Sequence, residues 1–203
     1  MTVTIKQVTE KDLSQLIKIS RETFVDTFGK DNTQADMVEY LEQSFSTAEM
    51  KQELSTNGTN FWFIFVDDQI AGYLKLNIDQ AQSDQVANNA LEIERIYIQS
   101  AFKRHGLGTK LYHHAETVAH DQHCDNMWLG VWEHNQPAQR FYQGLGFKQI
   151  GDHVFTLGSD VQRDLIMLKK MGSTIFGTDR FSLREILLVL FLVCWYYLNK
   201  KRR

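Results

Sequence analysis

The sequence predicts an α/β domain in which a sheet of about seven strands is flanked by helices. Short runs of β-branched and aromatic residues alternate with segments whose apolar residues recur every three to four positions, so strands and helices follow one another along the chain. A long helical segment over residues 107–119 also stands between two strands, which requires a crossover between parallel strands. The sheet is therefore expected to be mixed.

The first half of the chain predicts one strand, three helices and a hairpin. Residues 3–8 alternate apolar and polar side chains, which is typical of a half-buried strand, and Thr9 can cap the helix that follows. Two shorter helices are expected after it, because apolar residues continue to recur at helical spacing. The runs Phe61–Val66 and Ile70–Ile78 predict a hairpin, and the polar residues 79–89 predict a surface loop.

The second half predicts a strand, helix and strand unit, one more helix and two closing strands. Its parts are a strand at Leu91–Ile98, a turn at Lys103–Gly108, a helix carrying Leu107 to Ala119, a strand at Met127–Trp132, a helix from Gln136 to Gly144, and strands within residues 153–158 and 163–171. Alternation along the first of these strands places Glu92 and Glu94 on one face. Asn135 is placed to cap the last helix.

Composition restricts the class of partner and the compartment. The 22 basic and 25 acidic side chains leave a formal charge of -3, so a nucleic acid is not expected and a cationic or neutral small molecule fits better. Cys124 and Cys194 lie far apart, which argues against a disulfide framework and favours a reducing compartment. The first residues lack the long apolar segment of a signal peptide. A cytoplasmic protein is therefore expected.

The turn Lys103–Gly108 has the composition of a phosphate-binding site. It offers successive backbone N–H groups, glycines that allow close approach, and basic side chains at the positive end of the helix beginning near Leu107. An ordinary strand-to-helix connection, in which the glycines serve only the geometry of the turn, would have the same sequence pattern. The turn matches neither GxGxxG nor GxxxxGK[ST]. Taken alone, it leaves both interpretations open.

Two motifs together resemble the GNAT superfamily of acetyl-CoA-dependent N-acetyltransferases. The pyrophosphate loop of that family, [QR]-x-x-G-x-[GA], is similar to the run Lys103, Arg104, His105, Gly106, Leu107 and Gly108, with lysine at the position of the usual Gln or Arg. The family pattern N-x-x-A-x-x-x-Y-x-x-x-G-F is present in full as Asn135, Ala138, Tyr142, Gly146 and Phe147. Segments such as LEIERIYI and DLIMLKK further resemble the PaiA-type polyamine acetyltransferases, and the resemblance covers Val3 to about Met171.

The resemblance implies a GNAT fold with a twisted, mostly antiparallel sheet, acetyl-CoA as co-substrate and no metal. It implies cofactor contacts from Ile96, Tyr97, Ile98, Lys103, Arg104, His105, Gly106, Leu107, Gly108, Thr109 and Asn135. In the family, a strand bulge at the position of residues 96–98 directs backbone N–H groups at the thioester carbonyl and the pantetheine arm. Asn135 would hydrogen-bond the cofactor, cap its helix, or do both.

Acetyl transfer to an amine needs a base, because an aliphatic amine is almost entirely protonated at pH 7. Glu92 stands at the offset before the turn where the histone-acetylating branch of the superfamily has its base, and Glu94 is the second candidate. Either could instead pair with a cation across the sheet, such as Lys75 or Arg95. Tyr142 occupies the position of the family's general acid toward the leaving thiolate, and its alternative role is aromatic packing on the sheet.

The resemblance implies a small-molecule amine acceptor, and the PaiA-type branch implies a polyamine such as spermidine or spermine. Acidic residues lie on segments that line the acceptor cleft in this superfamily: Glu39, Glu42, Glu92, Glu94 and Glu133. Two alternatives stay open, an acetyltransferase for a protein N-terminus or lysine and a degenerate module that only binds acetyl-CoA. His120 and His123, next to Cys124, have a spacing that zinc could use, but a third and a fourth ligand are lacking and acetyl-CoA chemistry needs no metal, so a solvated helix end is expected.

Residues 172–203 predict an extension beyond an acetyltransferase domain at 1–171. Its run Ile186–Leu198 contains 13 apolar residues. As a helix this run would be about 20 Å long, shorter than the hydrocarbon core of a bilayer. Aromatic and then basic residues close the chain, as in a membrane-interface anchor. A helix at 182–199 could associate with a membrane or dock on this or a neighbouring subunit, or the extension is non-native; whether the protein is a homodimer also stays open.

Overall fold

The computed structural model describes residues 1–157 and 160–172, which form the predicted α/β domain around one seven-stranded sheet. The strands are β1 (Val3–Gln7), β2 (Thr59–Val66), β3 (Gln69–Ile78), β4 (Ala90–Ile98), β5 (Asn126–Trp132), β6 (Lys148–Leu157) and β7 (Asp160–Lys170). The helices are α1 (Leu13–Phe28), α2 (Gln34–Ser44), α3 (Thr47–Ser55), α4 (Leu107–Asp121) and α5 (Gln136–Gly144).

The sheet has the strand order β1-β2-β3-β4-β5-β7-β6 and is mostly antiparallel, as predicted. β4 and β5 are its parallel pair, and α4 makes the crossover between them. In the part of the chain that the structure describes, these two strands pair only where Ala90–Glu92 meets Asn126–Trp128. Beyond Glu92 they separate, and the opening between them lies in the middle of the sheet.

Helices cover both faces of the sheet and give two hydrophobic clusters. Along β2, Trp62 and Ile64 point into the cluster covered by α4 and α5, whereas Phe61 and Phe63 point into the cluster covered by α1, α2 and α3. Because both faces are covered, residues 71–77 of β3 form an uninterrupted buried run instead of an alternating one.

Most predicted boundaries hold, and the largest differences are in the last two strands. Asn135 caps α5 as predicted, since its Oδ1 accepts the Ala138 N–H at 3.2 Å. Thr9 caps a single 3₁₀ turn, Glu10–Asp12, from which α1 continues. β6 begins at Lys148 and β7 at Asp160, earlier than expected. β6 is an edge strand with exposed polar side chains, so its first residues lack an apolar pattern.

No helix among residues 1–157 and 160–172 is long and apolar enough to cross a membrane. The predicted apolar helix at 182–199 lies outside the described residues. The domain boundary near residue 171 therefore stays a prediction.

Candidate active site

Two cavities meet where β4 and β5 separate. One, of about 410 Å³, contains Glu92 and Glu94 in its wall and is called the carboxylate cavity. The other, of about 790 Å³, is lined by the glycine turn and is called the turn cavity. Residues lining both cavities are Ile96, Tyr97, Trp132, Asn135, Ala138 and Tyr142. The structure thus brings both predicted motifs and the predicted catalytic side chains to one place.

The glycine turn presents free backbone N–H groups to the turn cavity. α4 begins at Leu107, and its first hydrogen bond runs from the Lys110 N–H to the Gly106 carbonyl at 3.1 Å. The N–H groups of residues 107–109 therefore have no acceptor among the described residues. Gly106 has a φ of +72°, a left-handed conformation that favours glycine, and a Cβ built there would meet nothing within 4 Å. The space beside the turn is open.

Most of the predicted turn residues line this cavity, with one exception. Those that do are Lys103, Arg104, Gly106, Leu107, Gly108 and Thr109. His105 does not line the cavity, and its contact with the cofactor stays a prediction. Its Nδ1 lies 3.3 Å from the Phe102 carbonyl oxygen, so the imidazole is held against the preceding backbone and is exposed to solvent.

The bulge in β4 lies earlier than the resemblance implied. Leu76 pairs with Ile93 and Lys75 pairs with Arg95, so Glu94 is the extra residue, and the expected bulge at residues 96–98 is wrong. Glu94 occupies the bulge because cationic and amide side chains on β3 and β4 hold its carboxylate there.

The expected backbone donors at residues 96–98 arise from the separation of the strands instead. The Gln99 N–H donates to the Ala71 carbonyl on β3 at 2.9 Å. Because successive N–H groups of a strand point to opposite edges, the Tyr97 N–H also faces β3, whereas those of Ile96 and Ile98 face the opening. These two groups have no strand partner there, since β5 pairs with β4 only up to Glu92 in the described chain.

Tyr142 lies at the junction of the cavities and is also packed in the core. Its side chain is 6% exposed, and its ring lies edge-on to Phe147 at 5.7 Å between centroids. Among the described residues, none hydrogen-bonds its hydroxyl. Burial raises the pKa of Tyr142, so the phenol stays protonated at neutral pH. Both roles weighed for this tyrosine, core packing and proton donation, are compatible with this position.

Glu92 is buried, with an exposed fraction of 2%, and is held by neutral donors. The Asn77 side chain donates to its Oε2 at 2.9 Å, the Ser83 N–H donates to the same oxygen at 2.8 Å, and the Ser83 hydroxyl donates to Oε1. Burial and the nearby Glu94 carboxylate raise the pKa of Glu92, against the effect of these hydrogen bonds. A carboxylate with a raised pKa is a better proton acceptor than an ordinary surface glutamate.

Glu94 is an ion-paired carboxylate. Its Oε2 lies 2.7 Å from Lys75 Nζ, and its Oε1 lies 3.2 Å from an Arg95 nitrogen. Glu53 on α3 binds both cations at 2.7 to 2.8 Å. Burial acts to raise the pKa of Glu94, but Arg95 and Lys75 outweigh it and lower that pKa. The alternative of cross-sheet pairing therefore applies to Glu94, which leaves Glu92 as the better candidate for the base.

Sequence reasoning missed the residues that hold Glu92. Ser83 comes from the loop after β3, where a polar run without periodicity gives no sign of which side chain turns inward. Asn77 could have been found, because asparagine is unfavourable inside a strand, and it lies between Leu76 and Ile78 in a strand that is otherwise mostly apolar.

Three of the five predicted acceptor-cleft acids lie elsewhere. Glu39 and Glu42 border a separate, shallow depression on α2. Glu133 lies outside both cavities and its carboxylate contacts Arg163 at 2.9 Å. The carboxylate cavity instead gains two acids, Asp84 and Asp164, which sequence reasoning did not select.

The histidines near the end of α4 do not form a metal site. The His120 Nδ1 lies 3.8 Å from an oxygen of its neighbour Asp121, and no group of three or more metal-ligating side chains occurs in the described part of the chain.

Comparison with known proteins agrees with this geometry. Residues 16–147 match the acetyltransferase (GNAT) family. The chain is 47% identical over 169 residues to an uncharacterized N-acetyltransferase of Lactobacillus delbrueckii subsp. lactis, which covers 83% of this chain and 98% of the relative. It is 26% identical over 177 residues to the spermidine N(1)-acetyltransferase of Thermoplasma acidophilum, covering 85% of this chain and 100% of the relative.

Solved structures show the same fold. The PaiA N-acetyltransferase from Thermoplasma acidophilum, crystallised in complex with coenzyme A, superposes with a TM-score of 0.68 at 23% identity and covers 84% of this chain and 100% of that one. A ribosomal-protein-alanine N-acetyltransferase from Brucella melitensis gives a TM-score of 0.63 at 19% identity, covering 83% and 99%. The chain belongs to the GNAT family of N-acetyltransferases.

Proposed function

We propose that this enzyme transfers an acetyl group from acetyl-CoA to a primary amine of a polyamine, such as spermidine or spermine, by direct attack in a ternary complex. The observation that carries the proposal is the meeting of two cavities at the β4–β5 opening, with Tyr142 between the glycine turn and the paired glutamates. The choice of a polyamine is supported by the similarity to a spermidine acetyltransferase along the whole domain.

The turn cavity fits acetyl-CoA, which when bound supplies an acetyl group activated as a thioester. The free N–H groups of residues 107–109 and the positive end of α4 suit a pyrophosphate, and Lys103 and Arg104 add positive charge. Phe102, Pro137 and Phe141 give the same cavity an apolar wall suited to the pantetheine arm.

Glu92 acts as the base. An aliphatic ammonium group must lose a proton before its nitrogen can attack, and Glu92 faces the cavity from which the amine would enter. Ser83 and Asn77 fix its carboxylate, and its raised pKa favours proton uptake. Glu94 keeps its charge through Lys75 and Arg95, and its role is to raise the pKa of the neighbouring Glu92.

Residues on the other side of the junction stabilise the charges that develop. The Ile96 and Ile98 N–H groups point into the opening, where they can hydrogen-bond a carbonyl oxygen as it becomes negative. Tyr142 retains its proton because burial raises its pKa, and it gives that proton to the departing sulfur. The remaining wall of the carboxylate cavity contains Phe24, Phe28, Tyr40, Phe45 and Trp132, aromatic side chains suited to alkyl chains and cations.

An acceptor screen that follows thiol release tests the proposal. The panel contains spermidine, spermine, a lysine-containing peptide and a peptide with a free N-terminus, and mass spectrometry of each product confirms acetylation. Activity on the polyamines above the peptides supports the proposal. Activity confined to a peptide would replace the polyamine with a protein acceptor. Calorimetric binding of acetyl-CoA without turnover of any amine would indicate a binding module.

A further inference from the structure

We infer that the carboxylate cavity contains a second cation-binding subsite, formed by Asp84, His153 and Asp164 around Gly130, which anchors a distal ammonium group of the acceptor. The inference rests on the proposed function, because it explains how the site would select an amine with two or more charges over a simple monoamine.

Sheet register places this subsite on the same face as Glu92 and at a distance from it. Glu92 pairs with Trp128, and Gly130 follows two residues later on the same face of β5. Two residues of strand span roughly 7 Å. Asp164 pairs with the next same-face residue of β5, and His153 pairs with Asp164. An extended diamine whose reacting nitrogen is near Glu92 can therefore reach this group with its other nitrogen.

Gly130 allows two polar side chains of the subsite to lie directly against β5. A Cβ built on Gly130 would lie 3.3 Å from His153 Nε2 and 3.5 Å from Asp164 Oδ2, so these two side chains cover the glycine and lie close to each other. Both side chains line the carboxylate cavity, as do Trp128 and Trp132, which flank Gly130 along β5. A distal nitrogen in the cavity would therefore meet His153 and Asp164 together.

The subsite carries negative charge that lysine and arginine do not balance. No side chain among the described residues hydrogen-bonds Asp164, and the titratable side chain next to it is His153. Burial raises the pKa of Asp164, as expected for a carboxylate that lacks a strong cationic partner. Asp84, at the mouth, has its Oδ2 3.8 Å from His153 Nδ1.

Charges on the rest of the cavity wall do not supply the missing cation. Arg95 is the guanidinium in that wall, and Glu53 and Glu94 already bind it. Glu92 takes its hydrogen bonds from neutral groups. The cavity therefore attracts more than one positive charge. The reacting ammonium group balances the charge of Glu92 and leaves the charges of Asp84 and Asp164 for a second ammonium group.

Putrescine and butylamine provide the test, since they have equal carbon chains but differ by one nitrogen. The enzyme should show a kcat/KM for putrescine about tenfold or more above that for butylamine, because the monoamine leaves Asp164 without an ammonium partner. Asp164→Asn should bring this ratio close to one, mainly by raising KM for putrescine, while the values for butylamine change by less than about twofold. Gly130→Ala should act in the same direction, because its Cβ would displace the His153 and Asp164 side chains.

A matched control removes one negative charge from the same hairpin outside the cavity. Asp152 lies on β6, is exposed, and contacts Arg163 at 3.4 Å. Asp152→Asn should keep the putrescine preference. Equal preference for the two amines in the unmodified enzyme, or an equal loss with both amines in Asp164→Asn, would overturn the subsite and leave the acetyltransferase proposal standing.

Calorimetry separates the subsite from the proposed function. If no amine is acetylated, the proposed function fails, and putrescine binding to the unmodified chain decides the subsite. Binding that disappears in Asp164→Asn would support the anchor without turnover. Absence of putrescine binding, or binding unchanged in Asp164→Asn, would overturn it.

Discussion

Asn77 donates a hydrogen bond to Glu92 across the β3–β4 pair, with 2.9 Å between Nδ2 and Oε2. The same nitrogen lies 2.5 Å from Glu94 Oε2. One amide group therefore connects Glu92, which is held by neutral groups, to Glu94, which is held by ion pairs. The amide is itself oriented by Thr59, whose hydroxyl donates to Asn77 Oδ1 at 2.9 Å.

Asn77→Ala should shift the acidic limb of the pH profile upward. The hydrogen bond from Asn77 lowers the pKa of Glu92, so its loss raises that pKa further, and the carboxylate becomes available as a base only at higher pH. A shift of about one pH unit in kcat/KM is expected, since a hydrogen bond to a charged group contributes roughly 1.5 kcal/mol. Glu92→Gln should abolish the limb and lower kcat/KM about a hundredfold or more. An unchanged limb in both variants would exclude Glu92 as the base.

Tyr142→Phe should lower turnover about tenfold or more without loss of cofactor affinity, because the substitution removes the proton donor and keeps the packed ring. The measurements are kcat by thiol release and acetyl-CoA binding by calorimetry. Phe141→Leu, on the neighbouring wall of the turn cavity, is the comparison, since it perturbs packing and removes no proton. A normal turnover number in Tyr142→Phe would restrict this residue to core packing.

Gly106→Glu should weaken acetyl-CoA binding about a hundredfold, because it adds a negative charge beside the expected pyrophosphate site at the start of α4. Gly106→Ala is the control, since it carries the strain of a side chain at a φ of +72° without the charge. Calorimetry should show a much smaller loss for alanine. Equal affinities in the glutamate variant and the unmodified enzyme would contradict the assignment of the turn.

Glu116→Gln should destabilise the domain at neutral pH, and this destabilisation should disappear at low pH. Burial acts to raise the pKa of Glu116, but hydrogen bonds from Lys169, Tyr112 and His113 outweigh it and lower that pKa to about 2. A lowered carboxylate pKa gives stability above the unfolded value near 4.5, which is lost as the pH falls toward 2. Solvent screening limits the effect to about 1 kcal/mol, or roughly 2–4 °C in Tm.

The measurement is thermal unfolding of the Glu116→Gln variant and the unmodified chain at pH 7 and at pH 2.5. Their difference in Tm should shrink at the lower pH. A constant difference would mean that Glu116 contributes through packing alone.

A chain ending at residue 171 should fold and keep full acetyltransferase activity, because the described elements end with β7 at Lys170. The full chain should associate with vesicles, with detergent or with itself through its apolar run Ile186–Leu198. Flotation with vesicles and light scattering compare the two chains. Unfolding or inactivity of the shorter chain would show that the extension belongs to the catalytic core.

The fold was predictable because strand and helix periodicities are local properties of the sequence. Each of the seven strands and each α-helix found in the described residues was expected, and Asn135 and Thr9 were expected as caps. The edge strand β6 was underestimated because its exposed residues follow no apolar period.

The candidate site was only partly predictable. Tyr142, Glu92 and the glycine turn were selected by motif, and the structure brings them to adjoining cavities. Asp164 was not selected, because its position depends on which strands become neighbours, and β7 inserts between β5 and β6 in the sheet. The preference for Glu92 over Glu94 depends on partners from other elements, such as Ser83 and Lys75. A single strand pattern does not contain that information.

The separation of β4 from β5 also divides the enzyme into parts that can evolve independently. Residues 79–89 and the strands β6 and β7 contribute walls to the carboxylate cavity and none to the turn cavity. Substitutions in these segments can therefore change which amine is acetylated, while the affinity for acetyl-CoA stays constant. A lineage could acquire new acceptors by changing one loop and one hairpin, and protein engineers could diversify the same two segments in a library if they keep Ser83, which holds Glu92.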